Sequence, residues 1–173
     1  ESDEPAYFET GLLGTGWNNA TWIGSSHGQL SKYRTHYVID YDVEIAPGSD
    51  KATFIFGMRD IENYVTVELD LLKNNESLLR ITHTTEGKEI KDMEENISHL
   101  ITKANRNEKH HITLEVSTAQ YAMQYFVQVL VDGNKVKENL TISPYPNGEL
   151  IYQCRLYSIG FNQPKKQQAT FSS

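Results

Sequence analysis

The chain has 173 residues, with 16 basic and 23 acidic side chains and a formal net charge of −7. That length suffices for one domain with a real core. The acidic balance and the lack of a basic patch exclude nucleic acid and anionic membrane surfaces as expected partners.

Residues 7 to 24, YFETGLLGTGWNNATWIG, hold both tryptophans and show no strand or helix period. The stretch reads as an entry segment that packs along the side of a domain. From Tyr33 to Ile45 the odd positions are Tyr, Thr, Tyr, Ile, Tyr, Val and Ile, while the even positions from Arg34 to Glu44 are mostly polar. Period two over this length predicts a half-buried strand with one wet face. APGSD turns the chain. KATFIFGMRD is apolar on both faces around Phe54 to Phe56 and predicts a more central strand. Alternation returns from Tyr64 to Leu72, with Val65, Val67, Leu69 and Leu71 inward. It returns again at Ile112, Leu114 and Val116, and at Met123, Tyr125, Val127 and Val129. Asp132-Gly133-Asn134 is a hairpin signal, because Asp-Gly tolerates the positive φ that tight hairpin turns need.

One segment has helical spacing: ISHLITKANRNE places Ile97, Leu100, Ile101 and Ala104 on one face for two turns. All else is strand and turn. The expected fold is therefore all-β, a two-sheet antiparallel jelly-roll sandwich of roughly a dozen strands. The boundaries expected are 1-24 for the entry segment, 25-163 for the sandwich and 164-173 for a C-terminal connector.

Cys154 is the only cysteine, so no internal disulfide forms; in a strand-like run it is expected to be a buried small hydrophobe. Sequons occur at Asn19, Asn75, Asn96 and Asn139. They matter only in a eukaryotic secretory setting. No Cys/His zinc spacing, nucleophile elbow, phosphate loop or dinucleotide fingerprint is present, and GLLGTG neither follows a strand nor opens a helix. No metal and no cofactor is expected. His110 and His111 are adjacent on a strand and point to opposite faces, so they do not share a metal readily. Asp40, Asp42 and Glu44 share a face, but charge on an exposed strand is ordinary and calcium sites in sandwiches favour loops.

Two resemblances follow from particular residues. Pro5, Ala6, Phe8, Glu9, Thr10, Gly11, Leu12, Leu13, Trp17, Ala20, Trp22 and Ile23 resemble the entry segment of bacterial alpha-L-rhamnosidases. The stretch YDVEIAPGSDKATFIFGMRDIENYVTVELDL, with HHITLEVS and VLVDGNKV, resembles the concanavalin A-like, laminin-G-like sandwich. In that class a strand ending near FG-x-R-D leads through a polar loop containing N-Y. Arg59, Asp60, Asn63 and Tyr64 occupy those places. Together the resemblances imply a non-catalytic accessory module of a secreted or periplasmic carbohydrate-active enzyme. Its role would be carbohydrate binding, with rhamnose-containing plant polysaccharide as one class of ligand, or packing on neighbouring domains of a parent enzyme. The chain stops before any catalytic helical barrel and inherits no acid or base from it.

Glu68 and Asp70 lie on one strand face, about 7 Å apart along the strand. Laminarinase-type sandwich glycosidases use Glu-x-Asp-x-Glu, but here the third place is Leu72 or Lys73. The set is incomplete for a carboxylate mechanism, so no catalytic residue is assigned. A small glycoside hydrolase using Glu68 and Asp70 is one alternative, and a purely structural spacer is the other. The expected carbohydrate-binding residues are Arg59, Asp60, Asn63, Tyr64, Glu68 and Asp70. Tyr64 would stack on a sugar ring and the polar groups would read hydroxyls. The plainer reading, that Arg59 and Asp60 pair simply to fix the loop, stands ahead of this one, because exposed ion pairs are common and need no function.

Overall fold

A computed structural model describes residues 36–72, 74–117, 124–143, 158–162 and 166–172. Ten strands occur among them: β1 His36–Ile45, β2 Lys51–Asp60, β3 Asn63–Leu71, β4 Ser77–Thr85, β5 Lys88–Asn96, β6 Lys109–Ser117, β7 Tyr125–Val131, β8 Asn134–Ile142, β9 Ser158–Phe161 and β10 Ala169–Ser172. They form two five-stranded sheets, ordered β10-β1-β6-β7-β8 and β5-β4-β3-β2-β9. All pairs are antiparallel. This is the two-sheet antiparallel sandwich that the alternation predicts.

Period two explains which side chains meet. In β1, Tyr37, Ile39, Tyr41, Val43 and Ile45 are buried, while His36, Val38, Asp40 and Glu44 are exposed. β3 buries Val65, Val67, Leu69 and Leu71, and β7 buries Tyr125, Val127, Val129 and Val131. β2 is buried over most of its length on both faces, as its apolar run requires. The two inner faces form one continuous core. Tyr41 stacks on Phe54 at 4.4 Å between ring centroids, joining β1 of one sheet to β2 of the other. Phe161 and Phe171 stack at 4.0 Å and close the side where β9 and β10 lie. The β7–β8 turn has Asp132 at φ 50° and Gly133 at φ 74°, the pair of left-handed residues that the Asp-Gly signal implies.

Two expectations change. The stretch from Ile97 forms one turn rather than a two-turn helix: the Ile97 carbonyl accepts from Leu100 N and Ile101 N. Asn105 Oδ1 then accepts from Thr102 N at 2.6 Å, so a side chain takes over the donor that a continuing helix would use. Ile97 and Ile101 still reach the core, but Ala104 is exposed. Residues Ala169–Ser172, expected within a connector, instead pair with β1 from Asp42 to Ile45. Phe171 packs against Tyr41 and Phe161, which supplies the burial that four residues of alternation do not advertise. The entry segment 1-24, with the rhamnosidase-like residues, and Cys154 lie outside the described residues.

Candidate functional site

The candidate site is the outward face of the second sheet. On β3 it carries Tyr64, Thr66, Glu68 and Asp70, because Val65, Val67, Leu69 and Leu71 point to the core. Antiparallel register sets their neighbours: Lys51 of β2 lies opposite Asp70, Arg80 of β4 opposite Glu68, and Glu94 of β5 opposite Arg80.

These side chains form one ion network across four strands. Lys51 Nζ lies 3.0 Å from Glu68 Oε1 and 3.2 Å from Asp70 Oδ2. Arg80 Nε donates to Glu94 Oε2 at 2.6 Å, and its Nη1 donates to Glu68 Oε1 at 3.0 Å and to Asp70 Oδ2. Lys91 Nζ reaches Glu94 Oε1 at 3.3 Å. The hydrogen bond it donates to Glu94, joined by those to Asp70 and Glu68, holds the Arg80 guanidinium above its ordinary pKa against the effect of burial. Burial pulls the Lys51 ammonium down, but the hydrogen bonds and charges of Glu68 and Asp70 outweigh it and leave a net upward shift. Glu94 is held below the usual carboxylate range by Arg80 first and Lys91 second.

Access divides the network. The Asp70 side chain is 5 % exposed, whereas those of Glu68 and Arg80 are 23 % and 22 % exposed. Asp70 is therefore largely covered, where it holds Lys51 and Arg80. Thr53 and Ile55, on the same face of β2, are also covered. The open strip runs along β3 and β4, through Tyr64, Thr66, Glu68, Arg80 and Thr82. With Asp70 covered and both carboxylates occupied by two cations, Glu68 and Asp70 leave no free acid–nucleophile pair facing solvent.

The six expected residues do not all come together. Gly57, at φ 59°, sits where the β2–β3 register shifts between Phe56 and Asp60. Beyond that shift Asp60 pairs with Asn63 at the end of β2, beside the turn at Ile61 and Glu62. There Asp60 accepts from Arg59 Nε at 2.9 Å, Glu62 N at 2.9 Å and Asn63 Nδ2 at 2.7 Å. Burial raises the Asp60 carboxyl pKa, and the bonds from Asn63, Arg59 and Glu62 outweigh it and lower it overall. Asn63 is buried, and its Oδ1 accepts from Glu86 N at 3.2 Å, tying this turn to the one between β4 and β5. Arg59, Asp60 and Asn63 thus fix the loop. Asn63 and Glu68 are separated by about 16 Å of strand.

Lys51, Arg80, Lys91 and Glu94 were not among the expected residues. Alternation assigns a face to each strand but not its register against its neighbours, and register is what brings Lys51 and Arg80 to Glu68 and Glu94 to Arg80.

The histidines separate as their adjacency requires. His110 points inward, with Nδ1 2.7 Å from Asp132 Oδ2 and Nε2 donating to the Asn105 carbonyl at 3.0 Å. His111 points outward, with Nδ1 2.8 Å from Asp42 Oδ1. Its hydrogen bond to Asp42 raises the His111 pKa, and the same bond lowers that of Asp42. Among the described residues no group of three or more His, Cys, Asp or Glu side chains is placed to hold a metal ion. No helix among them is long and apolar enough to cross a membrane. The sequon residues Asn75, Asn96 and Asn139 are exposed, and Asn19 lies outside the described residues.

No protein-family model matches the chain, and no curated protein matches it. Several solved structures resemble it. An alginate lyase variant in complex with alginate trisaccharide has a TM-score of 0.48 and 14% identity, over 75% of this chain and 60% of that one. A tetrameric galectin from the ball sponge Cinachyrella sp. has a TM-score of 0.48 and 13% identity, over 90% of this chain and 95% of that one. The CBM2 module of an evolved Dit of Lactobacillus casei BL23 phage J-1 has a TM-score of 0.46 and 10% identity, over 88% of this chain and 59% of that one. The chain thus spans less than two thirds of the lyase and Dit chains. All three TM-scores are below 0.5, and the fold stands on the strand pairing itself.

Proposed function

We propose that the chain is a carbohydrate-binding β-sandwich module whose ligand lies along the open strip of the second sheet. One observation carries this: a partly buried aromatic ring, Tyr64, shares a sheet face with the partly exposed guanidinium of Arg80 and carboxylate of Glu68, both fixed by ion pairs. Aromatic faces stack on sugar rings, and planar charged groups held in place read hydroxyls at little entropic cost. A shallow face buries little of a small ligand, so a dissociation constant of about 0.1–1 mM is expected. In the finer reading, suggested by the residues from Pro5 to Ile23, the module is an accessory part of a bacterial alpha-L-rhamnosidase-like enzyme. It would work in a secreted or periplasmic setting on rhamnose-containing plant polysaccharide.

The test is a titration of the chain with plant-wall and rhamnose-containing oligosaccharides, followed by calorimetry and by chemical shifts. Tyr64→Ala should abolish binding with little change in melting temperature. Shifts that leave Tyr64, Glu68 and Arg80 unmoved with every sugar at about 10 mM, ten times the weakest expected constant, would remove the site.

A second reading, a module that packs on a neighbouring domain, is favoured by the opposite face. There Val38 is 47 % and Phe126 37 % exposed, both outward on the first sheet. Reading the gene on either side of this segment for a neighbouring domain decides whether such a partner exists.

A further inference from the structure

We propose that the strip on the second sheet selects neutral oligosaccharides of two or more units and reads a vicinal diol between Glu68 and Arg80; this rests on the carbohydrate reading above. The first ground is charge. Among the described residues three carboxylates, Glu68, Asp70 and Glu94, are matched by three cations, Lys51, Arg80 and Lys91. No cation in this network is left over for a uronate or a sulfate. An anionic sugar at Arg80 would have to displace Glu94 or Glu68 from it, on a chain whose net charge is already −7.

The second ground is the hydrogen-bonding capacity that remains. Arg80 uses Nε on Glu94 and Nη1 on Glu68 and Asp70, so its Nη2 hydrogens make no bond among the described residues. Glu68 accepts both Lys51 and Arg80 through Oε1, and its Oε2 accepts nothing among them. Glu68 and Arg80 are direct cross-strand partners. They therefore place one open acceptor beside one open donor. Two hydroxyls on adjacent sugar carbons complement that pair, one donating to Oε2 and the other accepting from Nη2.

The third ground is length. Tyr64 lies four residues before Glu68 on β3, about 13 Å along the strand. That exceeds one pyranose ring. A ring stacked on Tyr64 and a diol at Glu68 and Arg80 belong to different sugar units, with the Thr66 and Thr82 positions between them.

The experiment compares two matched series on the intact chain, neutral xylo-oligosaccharides and galacturonate oligosaccharides, from monomer to tetramer. Expected are tetramer binding about tenfold tighter than monomer, uronate binding about tenfold weaker than neutral, and little salt dependence. Glu68→Gln removes one carboxylate charge and leaves a cation uncompensated. It should narrow or reverse the preference against uronates while keeping an acceptor at that place. Uronates bound more tightly than neutral sugars by the unaltered chain, or monomer bound as tightly as tetramer, would overturn this proposal and leave the carbohydrate reading standing. No binding by either series, or by any other glycan, would overturn both.

Discussion

Arg80 and Glu94 meet across the β4–β5 pair, guanidinium Nε to carboxylate Oε2 at 2.6 Å, while Nη1 of the same arginine holds Glu68 and Asp70 of β3. One side chain thus ties three strands together on the outward face. Arg80→Ala leaves three carboxylates facing two lysines, one of them on the covered Asp70. Removing one partner of a fully buried pair costs about 3–5 kcal/mol, and exposed pairs contribute about 1 kcal/mol or less. With Arg80 partly exposed, a loss of about 1–3 kcal/mol in urea unfolding lies between these limits. Arg80→Lys should recover only part of it, because one ammonium cannot reproduce a planar fork that spans both neighbouring strands. A full recovery by lysine would show that charge alone matters here.

Asn63 links two turns through a buried amide. Its Nδ2 donates to Asp60 and its Oδ1 accepts from Glu86. Asn63→Ala leaves the Glu86 N–H without this acceptor and should destabilise the fold by about 1–3 kcal/mol. A change below about 0.5 kcal/mol, the scale of ordinary surface substitutions, would mean that the turns hold without it.

The Asp42–His111 pair should titrate as a unit. The folded His111 pKa is raised above 6.5, so its contribution is full below that value and fades as pH rises through the folded pKa. The folded Asp42 pKa is lowered below 3.8, so its contribution is present above that value and is lost as pH falls through the folded pKa. The pair therefore stabilises most between these limits. Imidazole shifts followed by NMR should give a His111 midpoint above 6.5, and Asp42→Asn should bring it down. A midpoint unmoved by that substitution would remove the pair.

The core positions on β1, β3, β6 and β7 were legible in the sequence because period two marks one face of a strand whatever its partner. Tyr37 to Ile45 and Val65 to Leu71 fall where alternation places them. β5 is different. KEIKDMEEN is mostly charged and buries only Met93, so no alternation reveals it, and its register against β4 shifts after Ile81. β9 and β10 have four residues each, too few to show a period. The site was legible in part for a related reason. Tyr64 and Glu68 lie on one strand, and their shared face follows from spacing alone. Arg80 reaches Glu68 only through a register that turns and bulges decide. The register shift between Phe56 and Asp60 falls at Gly57, and a lone glycine in a strand-like run marks such a site without saying which way the next side chains turn.

The strand order has a consequence for how the molecule assembles. β2 to β5 form one run of neighbours in chain order, and β6 to β8 form another, so each can pair through short connections. β1 belongs with the second run but precedes the first: Thr113 of β6 bonds Asp40 of β1 across 73 residues. Its docking on β6 closes a far longer loop than any pairing within either run and costs more chain entropy, so it belongs later than they do on the folding path. Ile39→Val, a modest loss on β1, should then quicken unfolding and leave refolding nearly unchanged, whereas Val67→Ala on β3 should slow refolding. Stopped-flow rates for the two variants distinguish this order from its reverse.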